Sequence, residues 1–149
     1  MNNDELRSAL TDTIPWVKLS GLKVDIFHKG HVRLTVPVNP LHINHVGIVY
    51  AGTYFMLMEV AGAALFLAAY GVERFIPINK AMSIRFLKPA STDIYCELNL
   101  TKEKADEMIV PIIERGKGDW ILDMKAIDQA GETVAESTCT YHIIPLPKV

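Results

Sequence analysis

Apolar residues at every second position mark the first extended pair in the chain. Val24 and Ile26, then Val32, Leu34, Val36 and Val38, alternate with polar neighbours on either side of Lys29-Gly30. Alternation of this kind sets one strand face on a core and the other in water, so the stretch predicts a β-hairpin. Ahead of it, Asn3 to Thr11 has the spacing of a short amphipathic helix, stopped by Pro15. Behind it, NPLHINHVG predicts a loop punctuated by Pro40 and Gly47. The period-two signal then disappears. From about Gly52 to Gly71 nearly every side chain is apolar, which predicts one long helix closed by a glycine.

After Phe75 the alternation returns, through Met82, Ile84 and Phe86 and then Ile94, Cys96, Leu98 and Leu100. A third run, Met108 to Ile113, reads as a strand that Pro111 assigns to an edge or a bulge. A GKG turn leads into Trp120, Leu122, Met124 and Ala126, and QAG turns the chain into Val134 to Ile144. The expected order is a hairpin, one helix, and a five-strand meander whose short turns require antiparallel neighbours. Nothing in the sequence divides it, so residues 1–149 are expected to form one domain, with a helical segment at 1–20 and a central helix at 52–71. A helix apolar all round must be enclosed, and one sheet covers only one side of it. The expectation is therefore an α+β fold whose antiparallel sheet curls around the helix. A second copy should cover what the sheet leaves open, giving a homodimer at least.

Composition narrows the function classes. Half of the 149 residues are hydrophobic and 21% are charged, as in a folded domain. A net charge of -2 provides no general attraction to nucleic acid or to an anionic membrane. The opening MNNDELRSAL carries two acids and no apolar core, so it does not read as a signal peptide. Cys96 and Cys139 lie in strand-like runs without metal-ligand spacing, and reduced, buried thiols suit a cytoplasmic protein. The long helix has the length to span a bilayer, but its central acid costs about 2.5–3.5 kcal/mol there and no basic cluster flanks it. A core helix is the expectation.

That acid is Glu59. Between Arg33 and Glu73 it is the only Asp, Glu, Lys or Arg. Helical spacing sets it on one face with Gly52, Phe55, Met56, Gly62, Ala63 and Phe66, where glycine and alanine leave room for a close approach. Partial desolvation should raise its pKa and suit it to act as a base near neutral pH. The competing reading is a buried acid paired with a distant Lys or Arg. At the helix start, the amides of Ala51, Gly52 and Thr53 are expected to lack intrahelical acceptors, and such amides stabilise negative charge. Asn44, His45 and Tyr50 supply polar side chains just upstream. An acid two turns below an amide-rich helix start suits hydrolysis of an activated acyl group.

The run N-H-V-G-I-V-Y-A-G-T-Y-F-M-L-M-E-V-A-G, Asn44 to Gly62, resembles the hotdog-fold acyl-CoA thioesterases of the PaaI-like type. Their pattern is N-x-x-G-x-x-H-[GA]-G followed by Asp or Glu about seven residues later. S-I-R-F-L-K-P-A from Ser83 and A-G-E-T-V-A-E-S-T from Ala130 are similar to that family's later strands. The likeness covers nearly all of the chain after residue 20 and falls closest to a branch with Glu on the helix. It implies that Glu59 is general base or nucleophile and that Gly52 N–H meets the thioester carbonyl. It also implies that Asn44, grouped with the catalytic residues, and Gly47 form the loop that orients the attacking water. In the family, acid and oxyanion donor come from different subunits, and dimers or tetramers are common.

One position departs from the pattern. The family histidine before the [GA]-G pair is Tyr50 here, a longer and neutral donor. His45 is the candidate to compensate. With Gly47, Tyr50 and Ala51, it completes the loop side of the expected substrate site, and Phe55 and Met56 the helix side; Phe55, Met56, Met58 and Phe66 are candidates for an acyl tunnel. His42 and His45 are spaced for a metal but have no third ligand, so no metal is expected, nor any cofactor beyond the coenzyme A of the substrate. His28, His31 and His142 read as solvated or strand-face residues. Lys80, Arg85 and Lys88 are either phosphate contacts or an ordinary solvated strand face. GxGxxG, P-loop and GxSxG motifs are absent. The expectation is a hydrolase of acyl-CoA or acyl-carrier-protein thioesters. Its alternatives are a non-catalytic acyl-CoA-binding protein and a hotdog dehydratase or hydratase.

Overall fold

A computed structural model of the chain describes residues 3–147; residues 1, 2, 148 and 149 of the expected domain and of its N-terminal segment lie outside that range. Helix α1 (Asn3–Asp12) is followed by a second short helix, α2 (Pro15–Ser20). Pro15 therefore stops one helix and opens the next, where its missing N–H costs nothing. Strands β1 (Lys23–His28) and β2 (His31–Val36) form the expected hairpin. At its turn Gly30 has φ +73°, and a Cβ there would lie 2.3 Å from the carbonyl oxygen of Leu100. A 3-10 turn (Pro40–His42) and a loop lead to α3 (Ala51–Tyr70), one residue earlier at each end than expected. Strands β3 (Phe75–Phe86) and β4 (Ile94–Asn99), helix α4 (Lys102–Arg115), and strands β5 (Gly118–Asp128) and β6 (Thr133–Pro145) complete the chain.

The six strands make one open antiparallel sheet in the order β1-β2-β4-β5-β6-β3, with α3 against one face, which is the hotdog arrangement. Alternate residues of β2, β4, β5 and β6, among them Leu34, Cys96, Trp120 and Tyr141, turn inward and are essentially inaccessible. Leu57, Met58, Ala61, Ala64 and Leu65 of α3 meet them. Along the opposite side of α3, Phe55, Glu59, Ala63 and Leu67, four residues apart, stay partly or largely open. The sheet thus encloses most of the helix and leaves one narrow stripe.

Two expectations fail. Met108 to Ile113 is not a strand but the second half of α4. The helical period starts inside the polar lead-in KEKADE, and Ala105, Ile109 and Ile112 are buried at helical spacing. Thr101 caps the helix by accepting from Lys104 N–H at 3.2 Å, and Pro111 sits on the exposed side. The strands are also not a simple meander. β3 pairs with β6 at the far edge, while β4 pairs with β2, and β4 meets β5 only at Ile94–Asp128 and Tyr95–Ile127. Helix α4 comes between the diverging strands. The Tyr70 hydroxyl ties it to the end of α3, donating to the Ala105 carbonyl at 2.9 Å and accepting from Trp120 Nε1 at 3.2 Å.

The tightest contact between helix and sheet is at Gly62. The Tyr141 hydroxyl of β6 donates to the Glu59 backbone carbonyl at 2.5 Å, and a Cβ on Gly62 would lie 2.1 Å from that hydroxyl. Only a residue without a side chain admits the phenol. Gly62→Ala should therefore destabilise the fold by about 1–3 kcal/mol, the usual range for overpacking. Adding Tyr141→Phe should recover part of that loss, although Tyr141→Phe alone should cost about 1 kcal/mol. Urea denaturation of the two single variants and the double variant checks the coupling; strictly additive effects would contradict it.

Candidate active site

The loop before α3 is built on its own polar groups. His42 is buried, its Nδ1 accepting from Asn39 N–H at 3.0 Å and its Nε2 donating to the Ser20 carbonyl at 2.9 Å. Nδ1 closes the 3-10 turn and Nε2 ties that turn to α2, while His45 is exposed; among the described residues no third ligand joins the two histidines. Asn44 accepts through its side-chain oxygen from the amides of Val46 at 2.9 Å and Ile48 at 3.3 Å. Its carbonyl takes the Gly47 amide at 3.0 Å, with Gly47 at φ +84°. Asn44 and Gly47 thus shape the loop that delivers Tyr50 to the N-cap of α3.

At the helix start, the amides of Ala51 and Gly52 have no acceptor among the described residues. Thr53 differs from expectation, since its amide donates to the Tyr50 carbonyl at 2.9 Å, a 3-10 contact that tightens the first turn. The Tyr50 ring lies over Gly52, with its nearest carbon 2.6 Å from where a Cβ would be. The glycine gap at this position is therefore occupied by Tyr50 itself, and any side chain at 52 would displace that ring.

Glu59 lies on the open stripe, seven residues further along. Its carboxyl makes no hydrogen bond or ion pair among the described residues, so it is not the paired acid of the competing reading. Burial raises its pKa above the usual carboxylate value. Beneath it, Tyr141 holds its backbone carbonyl, and Asn79 Nδ2 donates to the buried Cys139 sulfur at 3.1 Å. Burial, with a smaller contribution from the Glu59 charge, pushes both the Tyr141 hydroxyl and the Cys139 thiol up. Sequence reasoning passed over Tyr141. Its signal was present, as the large residue of a buried alternation with Cys139 and Ile143 facing the small residues of α3.

Other candidates separate cleanly. Phe55 is exposed on the Glu59 stripe, and Met56 is buried beside the helix start. Met58 and Phe66 are fully buried core residues and not tunnel walls; the Met58 sulfur accepts from Ser137 Oγ at 3.4 Å, and Phe66 packs edge-on to Trp120 at 5.2 Å. Lys80, Arg85 and Lys88 pair with Asp119, Glu136 and Glu132 on neighbouring structure, as a solvated face does. His31 and His142 pair with Glu97 and Asp119. Two cavities flank the start of α3. One, of about 320 Å³, includes Asn44, Ala51, Phe86 and Leu87. The other, of about 170 Å³, includes Trp16, Leu41, Tyr50 and Met56.

Residues 3–143 match the model of a family described as Domain of unknown function (DUF4442). None of the curated proteins matches the sequence. A Pseudomonas aeruginosa protein of unknown function, described as a probable thioesterase, is 36% identical, with a TM-score of 0.90 over 98% of this chain and 97% of its own. A variant thioesterase from the same organism shares the fold at 13% identity, with a TM-score of 0.74 over 98% and 96% of the two chains. So does a Streptococcus mutans protein bound to acetyl-CoA, at 18% identity and a TM-score of 0.63, over 85% and 91%.

The unpartnered carboxyl has a consequence for stability. A folded-state pKa raised above the unfolded value favours the folded state at low pH, and that advantage is lost as pH rises through the raised pKa. Glu59→Gln should therefore gain stability relative to the parent as pH rises from below the ordinary value of 4.5 to neutrality. Denaturation of both proteins across that range, at one protomer concentration, checks this; parallel curves would contradict it.

Proposed function

We propose that this chain, which belongs to the DUF4442 family, is a thioesterase hydrolysing acyl-CoA. The observation that carries this reading is a partly buried carboxyl that has no partner among the described residues, on the same helix as two amides that have no acceptor among them. A relative described as a probable thioesterase and a structural neighbour bound to acetyl-CoA support the substrate class.

In this mechanism the thioester carbonyl oxygen accepts from Gly52 N–H, where negative charge develops as the carbonyl carbon becomes tetrahedral. Glu59 takes a proton from water, and the water oxygen bonds to that carbon. Collapse breaks the carbon–sulfur bond, and the departing thiolate takes the proton back from Glu59. The products are a carboxylic acid and a free thiol.

A site shared by two chains fits the spacing. Seven residues of α-helix rise about 10 Å, so Gly52 and Glu59 of one helix stand well apart along the open stripe. Two copies packed through the open stripe bring the amide of one to the acid of the other. Strand β3 supports this pairing, because it is the sheet edge and exposes Ile78 and Phe86. The loop made by Asn44 and Gly47 then orients the water, and Tyr50 borders the carbonyl site in place of the histidine of the PaaI-like pattern.

Turnover of acyl-CoA, read with a thiol reagent, tests the reading. Glu59→Gln should lower kcat by about 10²-fold or more with KM little changed. The acid limb of kcat/KM should lie above the ordinary carboxylate range, because the base must ionise against burial. Unchanged turnover in Glu59→Gln would remove the acid from the mechanism. The presence of Tyr50 favours one alternative, an acyl-CoA-binding protein without chemistry, and saturable binding with no turnover by the parent would establish it.

A further inference from the structure

The two cavities beside the start of α3 differ in what they offer a ligand. The smaller, between α2 and α3, has apolar walls in Trp16, Leu19, Leu41 and Met56. Four polar side chains also reach it, and three of them, Ser20, His42 and Thr53, are engaged within the fold; the fourth is Tyr50. Ser20 Oγ donates to the Val17 carbonyl at 2.6 Å and accepts from Leu22 N–H at 3.2 Å. His42 uses both ring nitrogens, and Thr53 Oγ1 donates to the His42 carbonyl at 3.5 Å. Apart from the Tyr50 hydroxyl, an occupant would meet mostly hydrocarbon. Yet Trp16, Leu19 and Leu41 are 54%, 67% and 64% exposed, so the protomer leaves these walls uncovered. The larger cavity, on the other flank, is wider and includes the polar side chains of Asn44 and Lys88.

Tyr50 joins the smaller cavity to the helix start. It lines the cavity and also rests on Gly52, whose amide meets the carbonyl in the proposed reaction. We propose that the cavity between α2 and α3 is the acyl pocket, and that it selects thioesters of six- to eight-carbon or single-ring aromatic acids. The proposal rests on the hydrolase reading for the position of the carbonyl. The size follows from volume: an apolar cavity of about 150 Å³ holds a benzene ring, and this one has about 170 Å³. The N-terminal helices thus acquire a role in specificity, because α2 supplies the outer wall.

Trp16 provides a direct reporter, since the other tryptophan, Trp120, is 1% exposed and its emission should stay constant. The probes are S-octyl-CoA and S-methyl-CoA, thioethers that cannot be hydrolysed. S-octyl-CoA should shift Trp16 emission to the blue and bind at least tenfold more tightly than S-methyl-CoA. Leu41→Glu and, independently, Leu19→Glu should abolish that preference, and both positions are exposed enough to accept the change. Leu87→Glu, in the other cavity, should retain it. Equal affinities for the two probes, or a preference lost in Leu87→Glu but kept in Leu41→Glu, would overturn the proposal. Octanoyl-CoA turnover separates the two readings. Chain-length preference in binding with no turnover keeps the pocket and removes the hydrolase. Turnover with equal kcat/KM for octanoyl-CoA and acetyl-CoA keeps the hydrolase and removes the pocket.

Discussion

A twenty-residue helix with one acidic and no basic side chain has no face suited to water, and the rest of the molecule is arranged around that constraint. Six strands curl over α3 and bury Leu57, Met58, Ala61 and Leu65 against the inward residues of β2, β4, β5 and β6. Burying each large apolar side chain stabilises the fold by about 1.5–3 kcal/mol, so enclosure of this helix is a dominant favourable contribution. A single sheet cannot finish the task. The stripe through Phe55, Glu59, Ala63 and Leu67 remains, and the proposed second copy completes the enclosure and the reaction site together.

The same enclosure accounts for the chemistry proposed for Glu59. A carboxyl in a nearly uncharged helix, at the border of the enclosed surface and apart from the ion pairs of the described residues, loses hydration without gaining a cation. Its pKa rises for that reason alone. Position is fixed by a contact that leaves the carboxyl free, since Tyr141 holds the Glu59 carbonyl through the space Gly62 leaves open. At the other end of the site, Asn44 accepts from the loop's own amides and His42 ties the 3-10 turn to α2, so the first turn of α3 is held while its leading amides have no acceptor among the described residues.

Local patterning carried much of this into view. Period-two alternation located the hairpin and the later strands, and the lone charge in an apolar helix singled out Glu59. Non-local features were not legible. The Met108–Ile113 run was misread because its helical period begins at Ala105, inside a polar segment that a search for apolar runs ignores. Strand order depends on pairings such as Phe75 with Pro145, which no short window contains. Tyr141 stayed hidden because its partner is a backbone carbonyl 82 residues away, and the glycine that admits it looked like room for a ligand. The Tyr50 ring over Gly52 is a similar case, a side chain filling a gap that the sequence alone left empty.

The central claim is that one reaction site takes its amide from Gly52 of one chain and its acid from Glu59 of another. Subunit hybrids test it most directly. Glu59→Gln, which lacks the acid, and Gly52→Val, whose side chain displaces the Tyr50 ring and crowds the amide, are each expected to be strongly impaired; they would be mixed, dissociated and reassociated, and acyl-CoA turnover measured. A hybrid dimer contains one site with both groups intact if the groups come from different chains, and none if they come from the same chain. The account predicts that turnover returns on mixing. Hybrids that form but stay as inactive as either parent variant would contradict it.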